Sequence, residues 1–178
     1  MSHMSTPTWS ARPEHPGEAG TVRRILLDAF DTADEADLVD ALRADPEAWL
    51  PPFSYVTVSP DGEPVAQALL TRCHVGDTPA LALAPCAVLG AWQRQGAGGA
   101  AIRGALAAAR AAGERTVVVL GHPDYYPRFG FSSAAGFGIV PPAGQEWPDE
   151  AFLALALDGG ARGALPRGEV RYAAAFGL

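Results

Sequence analysis

The sequence contains no lysine, so all thirteen of its cationic side chains are arginines. Any negative charge on a ligand must therefore be met by arginine or by backbone N–H groups. The formal net charge is -7, and no cluster of basic residues interrupts the acidic surplus. A protein that neutralises a nucleic-acid backbone normally shows a basic surplus or patch, so we expect no nucleic-acid partner.

Cysteine and long apolar runs are also scarce. Cys73 and Cys86 are the only two cysteines. They match neither a disulfide framework nor a paired metal motif, so we expect two reduced thiols and no metal. No apolar run reaches the roughly eighteen residues that a membrane-spanning helix needs, and the N-terminus lacks the layout of a secretion signal. We therefore expect no membrane partner and a cytoplasmic location.

The length of the chain favours a single domain. With 178 residues, of which 48% are hydrophobic, the chain is long enough to bury one hydrophobic core but short for two separate domains. Residues 1–4 resemble a remnant of an expression vector and are set aside. The expected domain is then residues 5–178.

The first part of the chain predicts two helices before most of the sheet. A short strand over 9–12 precedes a helix with Pro16 in its first turn, and residues 32–35 fit a capping box for a second helix. Two apolar segments, 53–59 and 64–75, flank a turn and predict an antiparallel hairpin.

The second part of the chain alternates strands with one long helix. A strand over 79–89 contains Pro85, which cannot donate a ladder hydrogen bond, so the strand should bulge or splay there. A glycine-rich loop over 93–99 leads into an alanine-rich helix that ends near Gly113. Further strands are predicted over 116–120, near 137–140 and over 152–157.

The loop Gln93-Arg-Gln-Gly-Ala-Gly98 has the composition of an anion site. Its glycines allow several backbone N–H groups to converge at a helix N-terminus, where a diphosphate binds. A P-loop is excluded, because no Lys-Ser or Lys-Thr pair follows. A Rossmann loop fits the glycine spacing, but the next strand lacks the ribose-binding acid. A purely structural interpretation, in which the glycines only start a tightly packed helix, remains open.

Two motifs resemble those of the GNAT superfamily of N-acetyltransferases. Gln93-x-x-Gly96-x-Gly98, after an apolar strand, is similar to its acetyl-CoA signature, and Tyr126-Pro-Arg-Phe-Gly-Phe131 is similar to its Tyr-x-x-x-Gly-Phe segment. The run 121–131 also resembles a bacterial branch of small N-acetyltransferases. The resemblance implies an α/β (α+β) fold: a mixed, mostly antiparallel sheet, splayed between its fourth and fifth strands, with helices on both faces. Two departures are Gly90-Ala91 in place of Pro-Glu and His122 in place of Asp.

The resemblance also implies roles for individual residues. The splayed strand would offer its backbone to the pantetheine arm and thioester carbonyl of acetyl-CoA, and the loop amides would cradle the diphosphate, with Arg94 as a supplement. Tyr126 would protonate the departing thiolate, although the adjacent Tyr125 is an alternative. The implied cofactor-binding residues are Cys86, Ala87, Val88, Arg94, Gln95, Gly96, Ala97, Gly98, Gly99 and Ala100.

The implied reaction is direct transfer of acetyl from acetyl-CoA to an amine of a small molecule in a ternary complex. A protein or peptide N-acyltransferase and a non-catalytic acyl-CoA-binding module are the alternatives. Many members of the family are dimers, so a homodimer is an assembly that the sequence leaves open. Cys86 is not expected to act as a nucleophile, because nothing near it in sequence activates it. The general base stays open among five residues: Asp31, Asp34, Glu35, His122 and Asp124.

Overall fold

A computed structural model describes residues 9–178, so the remnant predicted at residues 1–4 lies outside the described residues. A single domain over 5–178 stays a prediction. The α-helices of the described part are α1 (Ala19–Ala29), α2 (Asp34–Arg43) and α3 (Ala97–Ala111). The strands are β1 (Ser10–Pro13), β2 (Ser54–Val58), β3 (Pro64–Val75), β4 (Thr78–Val88), β5 (Thr116–Leu120), β6 (Ser132–Ser133), β7 (Ile139–Val140), β8 (Phe152–Ala156) and β9 (Gly168–Arg171).

The strands form one mixed sheet in the order β1-β2-β3-β4-β5-β8-β6. Along this path every neighbouring pair is antiparallel except β4 and β5, which are parallel. Strand β9 pairs with the end of β3 and with β7. The mixed, mostly antiparallel sheet predicted from the sequence is therefore confirmed.

The helices cover opposite faces of this sheet. Successive residues of a strand point to opposite faces, so neighbours on β3 enter different cores. Leu70 packs with Ile102 of α3, whereas Leu69 packs with Ile25 of α1 and with α2. The C-terminal segment 173–176 joins the α1/α2 side. No helix among residues 9–178 is both long and apolar enough to cross a membrane.

Both predicted helix starts are wrong in detail. Helix α1 begins at Ala19, after Glu18 rather than in the turn at Pro16. The Glu18 carboxylate accepts from the backbone N–H of His15 at 2.6 Å and from Arg12, which holds the chain in a turn before the helix. At α2 the hydroxyl of Thr32 accepts from the N–H of Asp34 at 3.3 Å, one residue short of a capping box.

The strand predicted near 137–140 is shorter than expected. A single turn of 3-10 helix, Ala134–Phe137, occupies its start, and only Ile139–Val140 is extended. Gly138 between them has φ +76°, a left-handed conformation that ends the turn and cannot continue a strand.

Candidate active site

The parallel strands β4 and β5 separate after two residue pairs. Leu81 lies opposite Val117 and Ala82 opposite Val118, and no later residue of β4 is paired with β5 in the described structure. Strand β4 continues to Val88 along β3, with a register irregularity opposite Pro85. The predicted slot is therefore present. Its β4 edge carries Cys86, Ala87 and Val88, whose role in binding the cofactor stays a prediction.

Helix α3 starts at the end of the glycine loop without a side-chain cap. Its N-cap, Gly96, has φ +88°, a conformation that strains any residue with a Cβ. The N–H groups of the first helical turn have no intrahelical partner, and the helix dipole adds favourable potential for an anion. The amide of Ala100, predicted to belong to the diphosphate cradle, instead donates to the carbonyl of Gly96 at 3.1 Å. Gly99 is therefore the last residue of the loop whose amide could belong to the predicted cradle.

Three long-range hydrogen bonds hold this loop in place. Trp9 Nε1 donates to the carbonyl of Gln95 at 2.7 Å, and the buried Thr57 hydroxyl donates to the carbonyl of Ala97 at 2.7 Å. The N–H of Gly90 donates to the Asp28 carboxylate of α1 at 2.7 Å. Proline, which the family usually has at position 90, has no N–H to donate, so this departure provides an anchor. The absence of the usual proline at position 90 was the signal in the sequence for a free backbone N–H there. The sequence did not identify Asp28 as its acceptor.

A cavity of about 500 Å³, here called the basic pocket, adjoins the helix start. Three of its lining side chains are arginines, and none is a carboxylate. The sequence predicted Arg94 here but missed Arg103, which lies one helical turn after Gly99, and Arg128. The lining residues are Val88, Arg94, Gly96, Ala97, Gly98, Gly99, Arg103, Tyr125 and Arg128.

The adjacent tyrosines occupy different parts of the site. Tyr126 lies against Gly121, where a Cβ would come within 2.2 Å of its ring, and its hydroxyl lies close to the thiol of Cys86. Tyr125 lines the basic pocket, and its hydroxyl is 3.8 Å from the position that a Cβ on Gly98 would take. Tyr126 thus borders the slot, and Tyr125 borders the basic pocket.

Burial controls the ionisation of the groups beside the slot. It raises the pKa of the Cys86 thiol to about 12, against a smaller lowering by the hydrogen bond from Tyr126. Burial, followed by the proximity of Cys86, also raises the pKa of Tyr126 well above its usual range. Both groups are therefore protonated at neutral pH. Cys86 is accordingly a poor nucleophile, in line with the sequence interpretation.

The five candidates for the general base differ in burial. Asp31, Asp34, His122 and Asp124 are exposed, whereas Glu35 is half-buried. One carboxylate oxygen of Glu35 is buried and has no hydrogen-bond partner among the described residues. Glu35 does not act as the acid of a capping box, which is the role that the sequence suggested for it. Residues 9–178 contain no group of three or more His, Cys, Asp or Glu side chains that could hold a metal ion.

Comparisons with known proteins agree with this architecture. A family model described as the acetyltransferase (GNAT) family matches residues 21–131. The uncharacterized N-acetyltransferase YjhQ of Escherichia coli (strain K12) is 38% identical over 123 residues, which is 67% of each chain. A crystal structure of the GNAT family N-acetyltransferase YhbS from Escherichia coli, in complex with CoA, has a TM-score of 0.83 at 26% identity and covers 100% of this chain and 97% of that one. A GNAT family acetyltransferase from Brucella melitensis, in complex with acetyl-CoA, has a TM-score of 0.74 at 31% identity, with coverages of 95% and 98%.

The sheet, its slot and these matches define an acetyl-CoA-dependent N-acetyltransferase. The chain belongs to the GNAT acetyltransferase family. The resemblance inferred from the two sequence motifs is confirmed, and so is the fold that it implied.

Proposed function

We propose that this enzyme transfers the acetyl group of acetyl-CoA to an amine of a small molecule, by direct attack within a ternary complex. The observation that carries the proposal is the continuity of two features, because Val88 belongs both to the slot and to the basic pocket. One ligand with an anionic end and a thioester-bearing arm fits both. The amides of Ala97 to Gly99, with Arg94, bind the diphosphate, and the backbone of residues 86–88 binds the pantetheine arm.

The proposed reaction needs two proton transfers. The amine nitrogen attacks the thioester carbonyl carbon, and an N–H on the free edge of β4 stabilises the resulting oxyanion. The carbon–sulfur bond then breaks, and the sulfur takes a proton from the hydroxyl of Tyr126. The attacking nitrogen loses its proton to a base on the acceptor side.

Cys86 indicates why the leaving sulfur needs a proton donor. Its thiol lies beside the slot, and its pKa is raised to about 12, mainly by burial. A CoA thiolate released into the same surroundings is disfavoured for the same reason. The pKa of Tyr126 lies well above neutral, chiefly because of burial, so its hydroxyl is protonated and available as a donor when the thiolate forms.

Glu35 is the best-supported candidate for the base. Its buried, unpartnered carboxylate oxygen distinguishes it from the four exposed alternatives. It lies on α2, which packs on the same face of the sheet as Ala87. A carboxylate with a free lone pair can accept the proton that the attacking nitrogen loses.

The packing of the C-terminal segment supports a small acceptor. Ala173, Ala175 and Phe176 pack against α1 and α2 on the face that carries Ala87. This covering is expected for an enclosed acceptor site, whereas a protein substrate needs an open groove beside the thioester. The cytoplasmic location and the homodimer stay predictions.

The proposal is tested by acetyl-CoA binding and by thiol release with a panel of small amines and peptides. Replacing Tyr126 by Phe should lower kcat by about 100-fold, a typical contribution of general acid catalysis, and should leave the Kd for acetyl-CoA within about twofold. Tyr55→Phe is the control, since Tyr55 packs on Gly104 of α3.

Three results contradict parts of the proposal. If the protein neither binds acetyl-CoA nor releases thiol with any acceptor, the transfer reaction is rejected. Tight binding without any turnover identifies a binding module instead. If Tyr125→Phe loses turnover and Tyr126→Phe does not, the general acid is Tyr125.

A further inference from the structure

Arginine side chains fall into two groups in this protein. Seven of the thirteen form ion pairs with carboxylates in the described structure: Arg12, Arg23, Arg43, Arg72, Arg115, Arg162 and Arg171. The other six have no carboxylate partner among residues 9–178, and half of these line the basic pocket: Arg94, Arg103 and Arg128. In a chain with a net charge of -7, a pocket of three arginines without an acid is expected to bind an anion.

Arg103 is bent back over the start of its own helix. One terminal nitrogen of its guanidinium lies 3.2 Å from the position that a Cβ on Gly99 would take. The guanidinium stacks on Phe129, 4.7 Å from the ring centroid. The missing side chain of Gly99 and the face of Phe129 together leave room for this cation beside the amide cradle.

Arg128 is held from the other side of the same pocket. Its Nε donates to the carbonyl of Tyr125 at 2.8 Å, and its guanidinium stacks on the Tyr125 ring at 4.5 Å. The terminal nitrogens of both arginines make no hydrogen bond to a carboxylate in the described residues. A guanidinium has five N–H donors, so each retains donors for a ligand.

The amide cradle and Arg94 account for a diphosphate, which leaves Arg103 and Arg128 unassigned. CoA carries a second anionic group, the 3′-phosphomonoester of its ribose, with a charge close to -2 at neutral pH. We propose that Arg103 and Arg128 form a separate subsite for this 3′-phosphate, and that it makes the enzyme selective for CoA thioesters over their 3′-dephospho forms. This inference rests on the proposed function.

The test compares the Kd values of CoA and 3′-dephospho-CoA, measured by calorimetry on the full chain. The wild type should bind CoA at least tenfold more tightly, as expected when charge-assisted hydrogen bonds to a phosphate are lost. Arg103→Gln and Arg128→Gln should each weaken CoA binding by about tenfold and change 3′-dephospho-CoA binding by less than about twofold. Arg167→Gln is the matched control, because Arg167 also lacks a carboxylate partner in the described structure but lines a different cavity.

The outcomes separate this inference from the proposed function. Equal affinity of the wild type for both ligands overturns the subsite and leaves the transferase proposal intact. If the two variants bind CoA and 3′-dephospho-CoA more weakly by the same factor, the subsite is also overturned, because the arginines then bind the diphosphate. If the wild type binds neither ligand, the proposed function fails as well. Unfolding curves that match the wild type establish that each variant is folded.

Discussion

The α1/α2 layer and the basic pocket use arginine in opposite ways. In the layer, Arg23 pairs with Asp37 and Asp40, and Arg43 pairs with Glu14. Arg43 also stacks on Trp49, so the difference lies in the carboxylate: Arg103 and Arg128 of the basic pocket are held by aromatic rings and a backbone carbonyl, with no carboxylate partner among residues 9–178. A paired arginine has its charge neutralised within the free protein, whereas an unpaired one keeps it for a ligand. Under the proposals above, the unpaired arginines that line the basic pocket are the ones that bind a ligand.

Among the variants that test this comparison, Arg43→Gln is expected to change the free energy of unfolding most. The Glu14 side chain is only 9% exposed, is bound by both terminal nitrogens of Arg43, and also accepts from the Ser54 hydroxyl. Arg43→Gln leaves this carboxylate without its cation, so the free energy of unfolding should fall by about 3 kcal/mol. Urea denaturation measures the loss, and the Kd for acetyl-CoA should not change.

The exposed pair of Arg23 with Asp37 and Asp40 provides the control for Arg43. Arg23→Gln should leave the free energy of unfolding close to that of the wild type, because solvent screens the pair. A clear loss of acetyl-CoA affinity in Arg43→Gln, with stability retained, contradicts the division into two kinds of arginine.

A smaller effect is expected at Asp28, which connects the two regions. Its carboxylate on α1 accepts from the N–H of Gly90 at the start of the cofactor loop. Asp28→Ala should lower the free energy of unfolding by about 1 kcal/mol, the usual net value of one hydrogen bond. Acetyl-CoA affinity should fall slightly, because the loop loses one of its anchors. Asp149→Ala, at an exposed position remote from this loop, should change neither quantity.

The smallest effect is expected at Gly99. A Cβ there would lie 3.2 Å from the Arg103 guanidinium, which must move to accommodate it. Gly99→Ala should therefore weaken CoA binding by roughly threefold, while alanine in place of glycine stabilises the helix by up to about 1 kcal/mol. Gly20→Ala in the first turn of α1 is the control, since nothing lies within 4 Å of its added Cβ. If both variants bind CoA as the wild type does, the position of Arg103 does not depend on Gly99.

The predictions that the structure bears out depend on neighbours in sequence. The loop before α3 was predicted because Gly96 and Gly98 shape the helix start within a few residues. The irregularity of β4 was predicted because proline lacks an N–H wherever it occurs. The slot itself came from the family resemblance, and the separation of β4 from β5 after Ala82 confirms it.

The predictions that failed, and the residues that were missed, depend on distant partners. Strand β9 was not predicted, because its pairing with His74 and Val75 joins segments almost a hundred residues apart. Glu35 fits a capping box in sequence, but the hydroxyl of Thr32 is used by Asp34. Arg103 resembles any exposed helical arginine until Phe129 and Gly99 are seen beside it.

The sequence by itself determined the order of the three helices and of strands β1 to β5, the glycine-rich start of α3 and the membership of the family, because each follows from local backbone preferences and short motifs. Only the tertiary structure decided which arginines meet a carboxylate and which stay available to a ligand. It also decided that one carboxylate oxygen of Glu35 is buried without a hydrogen-bond partner among residues 9–178. Pairing and burial are set by residues brought together from across the chain, and such proximity has no signature in local sequence.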